Sequence, residues 1–220
     1  VAVAGVDGLS TAGWLAGLLY LGVSNVLLAR GLRRSGATRF GAANTATATR
    51  STLVGLITAI VATSLTVPVS VAPLIGLAVP ALALDAVDGW LARRTRTTTE
   101  LGARFDMEVD AFLILALSVY VSQSLGSWVL AIGLMRYGYV VAGWALPWLR
   151  TTVPPRYWRK VVAAYAGIAL TVAASGLFPV WADAAVTLIA LGLLIESFGR
   201  DIVWQFRTRR AVPSAHQYWR

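Results

Sequence analysis

Residues 84–112 read LDAVDGWLARRTRTTTELGARFDMEVDAF and set four aspartates, Asp85, Asp88, Asp106 and Asp110, between two apolar runs of the kind that cross a membrane. Asp85 and Asp88 are spaced i, i+3 and Asp106 and Asp110 i, i+4, so on helices each pair shares one face. Two helices would then point four carboxylates at one another. On insertion scales an aspartate costs about 2.5–3.5 kcal/mol at the centre of a membrane helix, less near its end, and four uncompensated charges would also repel. The arrangement demands cations. The chain has no cysteine and its single histidine, His216, falls in the polar tail, so a metal here would have oxygen ligands alone, which selects Mg²⁺, Mn²⁺ or Ca²⁺.

Four carboxylates can hold two such ions as a clamp for in-line attack at phosphorus, where attacking and leaving oxygens both need positive charge close by. Gly89, Ala92 and Gly102 leave room for a diphosphate and nucleoside to approach the helix backbones, and Arg93 can fork onto phosphate oxygens. Written out, the pattern is Asp85-x2-Asp88-Gly89-x2-Ala92-Arg93-x8-Gly102-x3-Asp106-x3-Asp110. It resembles the motif of the CDP-alcohol phosphatidyltransferase family at all eight positions, the x8 spacer included. That resemblance implies an integral membrane transferase of phospholipid biosynthesis, dependent on two Mg²⁺ or Mn²⁺ ions. Such an enzyme moves a phosphatidyl or similar phosphoryl group from a CDP-linked donor, here expected to be CDP-diacylglycerol, onto a small polar alcohol and releases CMP. Three other readings compete. Solvated loop charges leave the glycines, Ala92 and Arg93 unexplained; a divalent-metal transporter would carry further acids along its other helices; an inactive scaffold of the same fold would tolerate loss of a motif residue, and none is lost.

No histidine, cysteine or serine nucleophile motif accompanies the acids, so the proton of an attacking hydroxyl must go to a carboxylate or to water. Asp110 lies one turn deeper than Asp106, and the resemblance gives the last aspartate the part of general base. Asp85, Asp88 and Asp106 would mainly hold metal, with Asp110 sharing that duty.

The rest of the chain fits an all-α, polytopic membrane helix bundle of one domain: 57% of its 220 residues are hydrophobic and 13% charged, with a strongly positive mean hydropathy. A formal net charge of +9 points to anionic lipid headgroups and anionic substrates, with no separate basic domain for nucleic acid. The near-exclusive use of arginine over lysine, with abundant alanine and glycine, points to a GC-rich bacterial genome and hence a bacterial plasma membrane. Apolar runs fall near 9–29, 44–66, 70–92, 106–124, 127–149, 160–177 and 181–203, which predicts seven helices. The first lacks a basic region before it and reads as a spanning helix rather than a signal peptide. The family's usual core is six helices, so this run looks like an addition. The division expected is 1–43 for the extra N-terminal helix and basic linker, 44–206 for the six-helix catalytic unit and 207–220 for a basic tail, broken by Pro213, against anionic lipid. A homodimer is expected.

Every Lys and Arg except Arg136 lands on one side of this arrangement, whereas the segments around 1–13, 67–70, 124–127 and 177–182 carry none. The positive-inside rule then puts the acid site in the cytoplasm, the N-terminus outside and the C-terminus inside. Trp14, Trp128 and Trp181 fall near helix ends, as interfacial anchors do.

Asn44, Thr47 and Arg50 form one stripe where the second helix enters. With Asp85, Asp88, Gly89, Ala92, Arg93, Gly102 and Asp106 they make the expected CDP-binding set; capping and a snorkelling arginine are the plainer alternative. Arg136 sits deep in the fifth helix and needs an anion. It resembles an arginine of the phosphatidylglycerophosphate and phosphatidylinositol phosphate synthases, whose acceptor alcohol carries a phosphate. With Arg156, Arg159 and Lys160 at the start of the sixth helix it forms the expected acceptor-binding set, glycerol phosphate and inositol phosphate being the acceptors implied. Glu196, Arg200 and Asp201 are spaced to pair with one another along the last helix.

Overall fold

A computed structural model describes residues 8–35, 42–95, 100–150, 153 and 157–208, with the backbone alone for 31–35, 42–47, 87–95, 100–104 and 150. Among the described residues there are seven α-helices and no strands: α1 (Thr11–Ser35), α2 (Ala42–Ser64), α3 (Val71–Thr95), α4 (Glu100–Leu125), α5 (Leu130–Ala145), α6 (Tyr157–Ser175) and α7 (Val180–Thr208). The fold is the all-α membrane bundle expected.

The helix ends differ from the apolar runs for reasons the sequence carries. α1 continues to Ser35, past the apolar run and through Arg30, Arg33 and Arg34, because arginine is a good helix former and a helix need not stop where hydrocarbon does. α5 stops at Ala145 instead of near residue 149: Pro147 forbids its predecessor the helical region, and Leu146 is extended at φ −122°, ψ 90°. A 3-10 turn, Pro147–Arg150, follows. Gly176 ends α6 at φ +62°, a left-handed conformation that only glycine takes freely.

α4 is the hub and packs against α1, α2, α5, α6 and α7, while α3 lies against α2 and α6. Its buried residues Phe105, Val109, Leu113, Leu117 and Val121 recur every four positions, one apolar face of a helix. They meet Val54, Ile57 and Val61 of α2 and Val162, Ala166 and Leu170 of α6 in a single core. Contact is closest where residues are small. A Cβ on Gly133 would stand 2.6 Å from Leu115 Cα, which draws α5 onto α4. Buried threonine hydroxyls inside the bundle are satisfied by their own helices: Thr63 donates to Ala59 O at 2.9 Å and Thr187 to Asp183 O at 2.6 Å.

Among the described residues, three spans, Thr11–Arg30, Ser127–Ala145 and Val180–Thr208, are long and apolar enough to cross a bilayer. Shorter apolar stretches, Ala48–Ser64 and Val71–Ala86, lie in α2 and α3. Large apolar side chains face outward, among them Leu15, Leu18 and Leu19 of α1 and Ile189 and Ile195 of α7, as on the surface of a lipid-embedded bundle.

Candidate active site

Three of the four aspartates come together on two helices. Asp85 lies near the end of α3 and Asp106 and Asp110 one turn apart on α4; each offers one carboxylate oxygen, and these oxygens all lie within 4.8 Å of one another. Asp88 follows Asp85 by one turn on α3, and its side chain lies outside the described residues. Unit charges that close repel by roughly 3 kcal/mol per pair at an effective dielectric of about 20, before screening. The protein answers part of this with Arg50 of α2, whose side chain is 0% exposed. Its Nη1 donates to Asp85 Oδ1 at 2.5 Å, and its Nη2 reaches Asp106 Oδ1 at 2.5 Å and Asp110 Oδ1 at 3.0 Å. Nη2 also donates to the Asp106 backbone carbonyl at 3.0 Å.

Arg50 is therefore turned inward, against the alternative that it snorkels to the headgroups. It stands one turn before Val54 on the face of α2 that Ile57 and Val61 bury, so the helix that packs the core also carries the guanidinium to the acids. Three carboxylates against one guanidinium leave two negative charges. The three carboxylate side chains are 36%, 37% and 31% exposed, so the cluster is open on one side. Closely spaced oxygens, surplus negative charge and the absence of any nitrogen or sulfur ligand fit a hard divalent cation.

Around this centre the sequence-based set divides. Asn44, Thr47, Asp88, Gly89, Ala92, Arg93 and Gly102 lie on the backbones of α2, α3 and α4 with side chains outside the described residues, and Arg156 and the tail from residue 209 lie outside them altogether. Lys160 of α6 is exposed, and its charge acts on Asp106. Arg159 pairs with Asp201 of α7 at 3.2 Å, the aspartate side chain being 6% exposed and the arginine 38%. Arg200 pairs with Glu196 as its spacing predicts, but Asp201 reaches across to α6 instead. Glu196 also accepts from Trp158 Nε1 at 2.9 Å.

Arg136 has an acid partner. Glu108 of α4 binds its guanidinium, so the anion that Arg136 needs is supplied from within the bundle rather than by an incoming phosphate alone. The signal was present in the sequence: Glu108 is an acid inside an apolar helix, offset by two residues from Asp106 and so turned away from the cluster, and it needs a cation as much as Arg136 needs an anion. Tyr20 of α1 also escaped sequence reading, since a tyrosine in an apolar helix carries no distinguishing pattern. Its ring packs on Phe112 with centroids 4.5 Å apart.

The CDP-alcohol phosphatidyltransferase family model matches residues 40–196, and the match contains both acid-bearing helices. The chain belongs to this family. No curated protein and no solved structure gave a significant match. Membership makes the protein a membrane transferase of substituted phosphate groups in phospholipid synthesis, with a CDP-linked donor and an alcohol acceptor. The family is typically dependent on a divalent metal, and the triad of Asp85, Asp106 and Asp110 could hold one. α1 lies wholly outside the matched residues.

Proposed function

We propose that this CDP-alcohol phosphatidyltransferase transfers a phosphatidyl group from CDP-diacylglycerol to a phosphorylated alcohol, inositol phosphate or glycerol phosphate, on the cytoplasmic face of a bacterial plasma membrane. The observation that carries the reading is the convergence of Asp85, Asp106 and Asp110 from two helices onto oxygens within 4.8 Å of one another, in a chain of this family. Residues 44–206 form the catalytic unit on this reading.

Asp85, Asp88, Asp106 and Asp110 hold two Mg²⁺ or Mn²⁺ ions, which supply positive charge to the donor's diphosphate and to the oxygens that attack and leave. Asn44, Thr47, Arg50, Gly89, Ala92, Arg93 and Gly102 seat the CDP moiety. Asp110 takes the proton from the acceptor hydroxyl as its oxygen bonds to the lipid-side phosphorus, and the bond from that phosphorus to CMP breaks. A phosphorylated acceptor is favoured by cations gathered at one end of α6. Lys160 is exposed and acts on Asp106, and Arg159 is fixed by the buried Asp201 yet keeps much of its guanidinium accessible. Arg156 and Arg136 complete the acceptor set.

The test is CMP release by the purified protein with labelled CDP-diacylglycerol, Mn²⁺ or Mg²⁺, and a panel of inositol phosphate, glycerol phosphate, serine and free inositol. Activity is expected with a phosphorylated acceptor, abolished by EDTA and restored by either metal. Turnover in chelator would remove the metal reading, and turnover confined to unphosphorylated alcohols would remove the acceptor reading.

A further inference from the structure

The helix outside the family match reaches the acid cluster. α1 is held against α2 by close backbone approach: a Cβ on Gly13 would stand 2.1 Å from Thr63 Oγ1 and 2.6 Å from Ala59 O, and one on Gly17 3.0 Å from Ala59 Cβ. Packing that close fixes the rotation and depth of α1. It delivers Tyr20 and Ser24, one turn apart, to the neighbourhood of Arg50. Ser24 Oγ and Ser51 Oγ, both buried, are 2.6 Å apart across the two helices. Tyr20 stacks on Phe112, two positions beyond Asp110 on α4. Its hydroxyl is buried beside the Ser24 and Ser51 hydroxyls and near Arg50 and Asp110, and it makes no hydrogen bond of good geometry.

Arg50 has a matching deficit. Its two terminal nitrogens hold the aspartates, while Nε, a pure donor, is buried and without a partner. A buried hydroxyl with lone pairs to spare and a buried N–H that lacks an acceptor are complementary through one bridging water. We propose that Tyr20, with Ser24 and Ser51, forms a polar seat beside Arg50 that holds its guanidinium on Asp85, Asp106 and Asp110, so that α1 sets how readily a divalent cation takes those carboxylates. The guanidinium uses the same oxygens that a cation needs, so a firmer hold on Arg50 weakens metal loading by direct competition. Tyr20 is on this account a positioning residue that acts through Arg50. The inference rests on the metal reading of the cluster, and its test separates the two.

The experiment uses the full chain in detergent with no donor present, and reads Mn²⁺ affinity from the electron paramagnetic resonance of the free ion. Tyr20→Phe keeps the ring on Phe112 and removes only the hydroxyl. It should tighten Mn²⁺ binding about three- to tenfold, the usual net worth of one hydrogen bond. Arg50→Gln should tighten it further, and adding Tyr20→Phe to Arg50→Gln should change nothing more. Arg50→Lys, which keeps a cation but lacks Nε–H, serves in place of Arg50→Gln if that variant does not fold. Unchanged affinity in Tyr20→Phe, or an equal effect of Tyr20→Phe in both Arg50 backgrounds, overturns the proposal. If the wild type binds no Mn²⁺, the metal reading fails, and melting in EDTA decides the seat alone. Tyr20→Phe should then lower Tm with Arg50 present and leave it unchanged with Arg50→Gln, and a shift of equal size in both backgrounds would overturn it.

Discussion

Asp106 and Asp110 share one face of α4 and one guanidinium, yet the proposed chemistry separates them. Asp110→Asn keeps shape and an oxygen ligand but cannot take a proton. It should leave CDP-donor binding within a few-fold while lowering turnover by ~10²–10⁴, the range of general-base catalysis. Asp85→Asn should instead weaken metal and nucleotide binding together. Donor affinity by calorimetry beside single-turnover rates distinguishes them, and a loss of donor binding in Asp110→Asn as deep as in Asp85→Asn would make Asp110 a ligand only. Arg136 poses a parallel question, because Glu108 already neutralises it. If it also binds the acceptor's phosphate, Arg136→Ala should raise the acceptor KM at least tenfold and spare donor affinity, whereas Glu108→Gln should leave that KM nearly unchanged or lower it. Equal losses of Tm in both variants with no change in acceptor KM would leave the pair a structural tie between α4 and α5.

The seam between α1 and α2 is the most sterically exacting element contact. A side chain at Gly13 would have to occupy space already held by Thr63 and the Ala59 carbonyl, and Ser10 N also donates to Thr63 Oγ1 there, at 3.2 Å. Gly13→Val should destabilise the protein by about 1–3 kcal/mol, the usual cost of overpacking a close contact. Gly22→Val, on the same helix where a Cβ meets nothing within 4 Å, should be close to neutral. Chemical denaturation in mixed micelles measures both, and equal effects would mean that α1 packs otherwise. Helices such as α2, α4 and α7 were legible because a membrane segment announces itself by length and apolarity, and the acids because their spacing fixes which face they share. Pairing across helices was not legible. Arg50 could equally have snorkelled and Asp201 could have bonded Arg200, and the choice was made by the rotation of α2 and by α6 lying beside α7, neither of which local spacing encodes.

At the scale of the whole bundle, the contacts and the charges point the same way. Arg50 near the start of α2 meets Asp85 near the end of α3 and Asp106 near the start of α4, and Arg159 at the start of α6 meets Asp201 near the end of α7. Among the described residues, Lys and Arg other than Arg136 lie toward those same helix ends. The described turns at the opposite ends, 65–70, around Gly126 and 176–179, carry neither residue. Arg136 of α5 is paired with Glu108 and so brings little net charge to the balance. If lysine and arginine bias orients the chain as it does in short-looped membrane proteins, the acid cluster opens to the cytoplasm. The protein has no cysteine of its own, so single cysteines give a clean readout. In intact cells, cysteines at positions 68, 125 and 180 should react with an impermeant maleimide, and those at 35, 98, 155 and 210 should react only after lysis. The reverse pattern would put the site on the outer face, away from cytoplasmic CDP-linked donors, and would require the donor to be supplied there by another route.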